Sequence, residues 1–183
     1  ETGTAIADVL FGRVNPGGKL PVTVPRNVGQ VPLFYNKLEP GRPRKIYRSS
    51  PEPLFRFGFG LSYTTFEIDN MRLGKDTLSP GEKTILTVDV TNTGKTAGDE
   101  VVQLYTRAVS SSRVRPTKEL RGFQRIHLDP GQVKKVSFEI GKKQLEYWNG
   151  GWKVETGQYY LFVADDSSDE KLQMNKTGLY VRK

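Results

Sequence analysis

The sequence predicts a mainly β fold, and three observations carry that reading. Leu86, Val88 and Val90 alternate with Thr87, Asp89 and Thr91, and Val136, Phe138 and Ile140 alternate with Lys135, Ser137 and Glu139, so each run has one wet and one dry face. Turn signals at Ser79-Pro80-Gly81, Asn92-Thr93-Gly94, Asp129-Pro130-Gly131, Asn149-Gly150-Gly151 and Thr156-Gly157 separate such runs. No strand–helix–strand rhythm follows Ser62, which argues against a parallel sheet. Seven or eight short antiparallel strands in roughly 120 residues are expected to pack as an immunoglobulin-like β-sandwich.

The chain begins differently. Ala5, Ile6, Val9 and Leu10 recur at helical spacing, Gly12 follows as a C-cap, and Asn15-Pro16-Gly17-Gly18 turns the chain into an extended stretch from Lys19 to Val24. One helix and one strand cannot bury their apolar faces alone, so residues 1–26 read as the C-terminal remnant of an α/β sandwich domain. Residues 27–61 lack periodicity and carry Pro32, Pro40, Pro43, Pro51 and Pro53, which marks a long extended linker. It closes on Leu54-Phe55-Arg56-Phe57-Gly58-Phe59-Gly60-Leu61, where alternate aromatics suggest a ribbon laid on a domain face and the glycines allow close approach or positive φ. Seam packing is favoured there over a sugar-stacking platform, because so many aromatics left open would invite aggregation.

Residues 62–183 form the sandwich, with strands expected at about 63–73, 83–91, 100–107, 119–128, 132–140, 144–148, 158–165 and, more weakly patterned, 171–182. With no cysteine there is no inter-sheet disulfide, which favours a fibronectin-like over an antibody-like sandwich. Its core must then come from large apolar residues, and Trp148, Trp152, Tyr159, Phe162 and Phe138 are the candidates.

Composition removes much chemistry. At 183 residues the chain fits one domain plus a fragment. The absence of cysteine and the single His127 rule out thiolate and His-cluster metal sites and a Cys nucleophile and argue against an ordinary triad, and neither a metal nor a cofactor is expected. His127 reads as a strand histidine on the surface. No apolar stretch is long enough for a membrane span, and nothing at Glu1 resembles a signal segment. The net charge of +8 raises nucleic-acid binding. Only Arg42-Pro43-Arg44-Lys45-Ile46-Tyr47-Arg48 is dense, however, and the remaining charge is scattered, as on a solvated basic surface. Asp165-Asp166-Ser167-Ser168-Asp169-Glu170 is the one dense acidic cluster; it lacks calcium-loop spacing and reads as a solvated turn. Asn175-Lys176-Thr177 fits the glycosylation pattern, a weak signal by itself.

Several ordered blocks carry a family resemblance. Ala5-Ile6-Ala7-Asp8-Val9-Leu10-Phe11-Gly12, Asn15-Pro16-Gly17-Gly18-Lys19-Leu20-Pro21 and Pro53-Leu54-Phe55-Arg56-Phe57-Gly58-Phe59-Gly60-Leu61-Ser62-Tyr63 resemble C-terminal signatures of glycoside hydrolase family 3, the β-glucosidase-like enzymes. Asn92-Thr93-Gly94, Gly98-Asp99-Glu100-Val101-Val102, Arg115-Pro116-Thr117-Lys118-Glu119-Leu120-Arg121-Gly122-Phe123 and Leu128-Asp129-Pro130-Gly131 resemble that family's fibronectin type III-like domain. The resemblance implies retaining hydrolysis of terminal β-D-glycosides by a parent enzyme with an upstream barrel supplying an aspartate nucleophile and an α/β sandwich supplying the acid/base. Both carboxylates are expected upstream of Glu1, so no residue here is assigned a catalytic role. Tyr47 and Arg48 are the candidate cleft-lining pair, although the stretch around them is short and lacks an expected acidic residue. The implied partners are the N-terminal catalytic portion and, through it, a β-glycoside substrate, with no nucleic acid and no membrane; a homo-oligomer and a periplasmic or extracellular location fit the same resemblance. The competing readings are an independent carbohydrate-binding or adhesive module and, from charge alone, a nucleic-acid binder.

Overall fold

A computed structural model describes residues 1–38 and 52–183. The sandwich is built from two sheets. Strands β1 (Phe66–Leu73), β3 (Thr84–Asn92) and β6 (Val133–Ile140) form one sheet in the order β1-β3-β6, with β2 (Thr77–Leu78) lying between the first two in sequence but in the other sheet. That second sheet runs β2-β10-β9-β4-β5, with β4 at Gly98–Ala108, β5 at Glu119–Leu128, β9 at Gly157–Ala164 and β10 at Lys176–Val181. All pairs are antiparallel except β2 with β10. This is the mainly β, fibronectin type III-like sandwich expected from the alternating runs.

The alternation does what its period dictates. Leu86, Val88 and Val90 of β3 and Val136, Phe138 and Ile140 of β6 point inward and are buried. They meet Val102 and Leu104 of β4, Tyr159, Leu161 and Val163 of β9, and Leu179 and Val181 of β10. A second apolar cluster lies on the outer face of the five-stranded sheet, where Tyr105, Phe162, Ala164 and Leu172 are covered by Tyr35, Phe57, Leu120 and Tyr160. Strand β4 is therefore buried on both faces from Val102 to Thr106, unlike β3.

Within the sandwich strands, three expectations need correction. The strand expected at 144–148 is a helical turn, α2 (Lys142–Leu145), followed by a tight hairpin of β7 (Tyr147–Trp148) and β8 (Trp152–Lys153). The Gln144 side chain accepts from the Gly141 N–H and starts the turn. Trp148 and Trp152 do not join the core: they sit opposite each other on this hairpin, 65% and 56% exposed, while Tyr147 on the opposite face turns inward. The weak strand at 171–182 is split into helix α3 (Asp169–Met174) and β10. Ser168 caps α3 by accepting from the Lys171 N–H, and Asp169 and Glu170 occupy its first turn, where the helix dipole favours them.

At the start of the chain, helix α1 spans Thr2–Leu10 and buries no residue. The stretch from Leu20 to Val24 forms no regular strand. It pairs instead with the aromatic ribbon: Leu20 N–H donates to Phe59 C=O, Gly58 N–H to Leu20 C=O, and Val24 bridges Phe55.

Candidate functional site: the seam between the N-terminal segment and the sandwich

The ribbon from Leu54 to Tyr63 and the turn from Asn15 to Lys19 are pressed together onto β4 and the loop after β9. Phe57 stacks on Tyr35 at 4.1 Å, and Tyr35 meets Tyr105 of β4 edge-on at 6.1 Å. The glycines between the aromatics allow this approach. Gly58 has φ +80°, and a Cβ there would lie 2.4 Å from Gln103 Oε1. A Cβ on Gly60 would lie 2.5 Å from the Gly18 carbonyl oxygen.

Asn15 ties the turn to both neighbours. Its Nδ2 donates to Ala97 C=O at 2.9 Å, and its Oδ1 accepts from Ser62 Oγ at 2.9 Å and Tyr63 N–H at 2.8 Å. Asn92, fully buried, performs a similar task nearby. It accepts from Thr64 Oγ1 and Gly94 N–H and donates to Thr96 C=O and Leu128 C=O. Every polar atom of a buried amide is thereby engaged, as burial requires. These two residues head the Asn-Pro-Gly-Gly and Asn-Thr-Gly blocks singled out in the sequence.

Charge is buried in the seam as well. Lys19 Nζ lies 2.7 Å from Glu100 Oε1, with the glutamate side chain only 5% exposed. Burial pushes the Glu100 carboxyl above its ordinary value, although Lys19 and the Val101 N–H pull the other way. Next to this pair, Lys171 bridges Asp165 at 2.7 Å and Asp166 at 3.1 Å. Burial works against Asp166, but the Ser168 N–H and hydroxyl and the Lys171 ammonium outweigh it and hold the carboxyl below its usual range. The acidic cluster expected to be a solvated turn is therefore partly interior: Asp166, Ser167 and Ser168 are buried. The cause is docking of the ribbon, since Ser167 N–H donates to Phe57 C=O, and Gln103 Nε2 bonds the carbonyls of Asp165 and Gly58. Lys118 closes the far side on Ser167 C=O and Asp169.

This arrangement can dock polypeptide, but it does not make a hydrolytic centre. Glycoside hydrolysis needs one raised and one ionised carboxyl facing a common cleft. The raised carboxyl is Glu100, and it is committed to Lys19 and to its own backbone neighbour. Among the described residues no group of three His, Asp or Glu lies close enough to hold a metal ion. His127 stands on the surface of β5, as expected, and its Nδ1 lies 2.6 Å from Asp99 Oδ1. The candidate cleft residues Tyr47 and Arg48 lie outside the described residues.

Residues 1–63 match the glycosyl hydrolase family 3 C-terminal domain, and residues 100–167 match the fibronectin type III-like domain. The chain belongs to glycoside hydrolase family 3. Among curated relatives, a periplasmic β-glucosidase of Salmonella typhimurium is 43% identical over 183 residues, covering 93% of this chain and 24% of that protein. A β-xylosidase of Formosa agariphila is 46% identical, covering 94% and 25% respectively. Among solved structures, a β-glucosidase from Erythrobacter marinus superposes with a TM-score of 0.91 at 42% identity, over 98% of this chain and 23% of that one. A β-glucosidase from Listeria innocua in complex with gluconolactone gives 0.90 at 34% identity, over 100% and 26%. This family 3 chain thus spans about a quarter of the length of the curated relatives it matches, and it corresponds to their C-terminal part.

The sequence missed Lys19, Glu100 and Lys171 as seam residues. Lys19 and Glu100 lie within the resembling blocks, but nothing local marks two charges so far apart in sequence as partners.

Proposed function

We propose that this chain is the non-catalytic C-terminal part of a retaining β-glycosidase acting on terminal β-D-glycosides, and that it works by bracing the N-terminal catalytic portion. The observation that carries this is the unfinished apolar face of the first segment. Ile6, Leu10, Phe11, Val14 and Val22 are all exposed, although the seam beneath them is tightly packed. A face of this kind, next to a match to the family 3 C-terminal domain, is suited to the remainder of an α/β domain.

In this reading residues 1–26 complete the α/β domain, 27–61 carry the chain along the seam, and 62–183 form the sandwich that clamps it. Tyr47 and Arg48 line the substrate cleft. The periplasmic relative supports a periplasmic or extracellular setting, and no described helix is long and apolar enough to cross a membrane.

The test is a chimera in which this chain replaces the corresponding C-terminal quarter of the Salmonella typhimurium relative, assayed on an aryl β-glucoside. The chimera is expected to hydrolyse it, the relative cut short at the junction to lose most activity, and this chain alone to have none. Turnover by the isolated chain, or full activity of the shortened relative, would overturn the proposal.

A further inference from the structure

At the end of the sandwich away from the seam lies a groove of about 500 Å³ between the β7–β8 hairpin, the turn after β2 and the end of β10. That volume falls within the roughly 300–1,000 Å³ of small-molecule sites. The groove has an apolar floor and a cationic rim. Leu78, Leu145 and Val181, all buried, form the floor, and Trp152 stands on one wall. Lys142, Lys153, Arg182 and Lys183 surround it, and among the described residues Glu82 is the only lining carboxylate side chain. Glu82 is already engaged by Lys75 at 3.2 Å. Among the described residues Lys153 and Arg182 make no ion pair within 4 Å, although Arg182 is near enough to Glu82 to attract its carboxylate, and Lys142 reaches Glu146 only at 4.0 Å. A cleft lined by one sign of charge concentrates ligands of the other.

The second feature is the ring. Trp148 and Trp152 are cross-strand partners, with centroids 5.6 Å apart and planes at 76°. The edge-on contact fixes the Trp152 indole while leaving the side chain 56% exposed. Large, rigid and open, such a ring forgoes burial that an indole normally gains, and it suits a ligand with a flat apolar face.

We propose that this groove binds an acidic oligosaccharide of the uronate type, one pyranose ring stacking by its C–H face on Trp152 while sugar carboxylates meet Lys153 and Arg182. A single pyranose needs one open indole face and presents its charge at the ring edge, which matches one platform bordered by cations. Single-stranded nucleic acid calls for successive platforms along a basic track, and a T-shaped pair does not supply them. The site is remote from the seam, so its failure would leave the glycosidase reading untouched.

The chain has two tryptophans, and both lie on this hairpin: Trp152 lines the groove and Trp148 touches the Trp152 ring, so their emission reports on a ligand bound there. Titration with tetragalacturonate at about 0.01 M salt is expected to give a saturable emission change. Binding should weaken at least about tenfold with neutral cellotetraose, in Lys153→Glu/Arg182→Glu, and in Trp152→Ala followed through Trp148. It should also weaken as salt rises to about 0.15 M, where the screening length shrinks from about 30 to about 8 Å. These side chains are exposed, so the variants should melt with the parent, and the charge variant keeps both reporters if Trp152→Ala fails to fold. The proposal is overturned by the absence of a saturable change, by equal affinity for cellotetraose, by indifference to charge reversal or salt, or by equal or tighter binding of an oligothymidylate.

Discussion

Helix α1 and strand β4 show what a neighbour does for a segment. Helix α1 carries Ile6, Val9 and Leu10 at helical spacing yet buries no residue, with Leu10 72% exposed. Strand β4 is interior on both faces from Val102 to Thr106, because one sheet face meets the sandwich core and the other meets the ribbon. Each large apolar side chain left open forgoes about 1.5–3 kcal/mol of burial. The sandwich has its own core and borrows the cover of its second apolar cluster from Tyr35 and Phe57, whereas the first segment is packed on its seam side only, and its open face is where the stability of this chain is still to be gained.

The largest contrast should come from truncating one residue in each region. Leu104→Ala, in the core, is expected to cost about 2–5 kcal/mol, whereas Ile6→Ala on the open face of α1 should stay within about 0.5 kcal/mol. Urea unfolding monitored by circular dichroism measures both. A cost for Ile6→Ala comparable to that of Leu104→Ala would mean that α1 is already covered, and the comparison would break. Next comes the seam: Lys19→Met strands a buried Glu100 and should cost about 3 kcal/mol, and the double change with Glu100→Leu should recover most of it. A double variant no better than Lys19→Met would mean that the two charges act separately.

Much of the sandwich was legible because period-two alternation is a local signal. Strands β3 and β6 lie nearly where Leu86–Val90 and Val136–Ile140 place them. Where the reading failed, the deciding force was not local. The aromatic character of Trp148 suggested burial, but a two-residue hairpin strand has room for only one inward side chain, and Tyr147 takes it. Asp166 looked solvated, but its turn is held by Phe57, more than a hundred residues earlier in the chain, whose carbonyl accepts from the Ser167 N–H. The seam was legible as blocks and not as contacts: Asn15 and Asn92 stood out by their turn sequences, while the Lys19–Glu100 pair joins residues whose proximity only the fold creates.

A smaller effect sharpens where the two regions meet. Asn15→Ala removes three hydrogen bonds, one to the sandwich at Ala97 and two to the ribbon at Ser62 and Tyr63, and should cost about 1–3 kcal/mol. The loss should be local: amide exchange ought to speed up in residues 15–24 and 54–63 while β3 and β9 keep their protection. Uniform acceleration across the sandwich would show that the segment and the sandwich unfold as one unit.

The smallest expected effect is a difference in the sign of the pH response. In the sandwich, burial works against the Glu155 carboxylate, but bonds from Ser111, Ser112 and Tyr147 outweigh it and bring the pKa down to about 2 from 4.5. The unfolded state therefore binds this proton first, so the contribution of Glu155 is complete above about 4.5 and is lost as pH falls toward 2. In the seam, Glu100 is shifted upward by burial, so the folded state binds its proton first. Its titration favours folding below the ordinary carboxyl value of 4.5, and that advantage fades as pH rises through the raised value. Urea unfolding from pH 2 to 7 should then show that Glu155→Gln flattens the acid limb, its deficit against the parent shrinking as pH falls. Glu100→Gln should shift the parent-minus-variant difference in the opposite sense, with the parent favoured more at low pH. A parent-minus-variant difference for Glu100→Gln that stays flat with pH would mean that the seam carboxyl is as accessible to water as a surface group and the first segment is not clamped on the sandwich, and a response parallel to that of Glu155→Gln would mean that Lys19 outweighs the burial of Glu100.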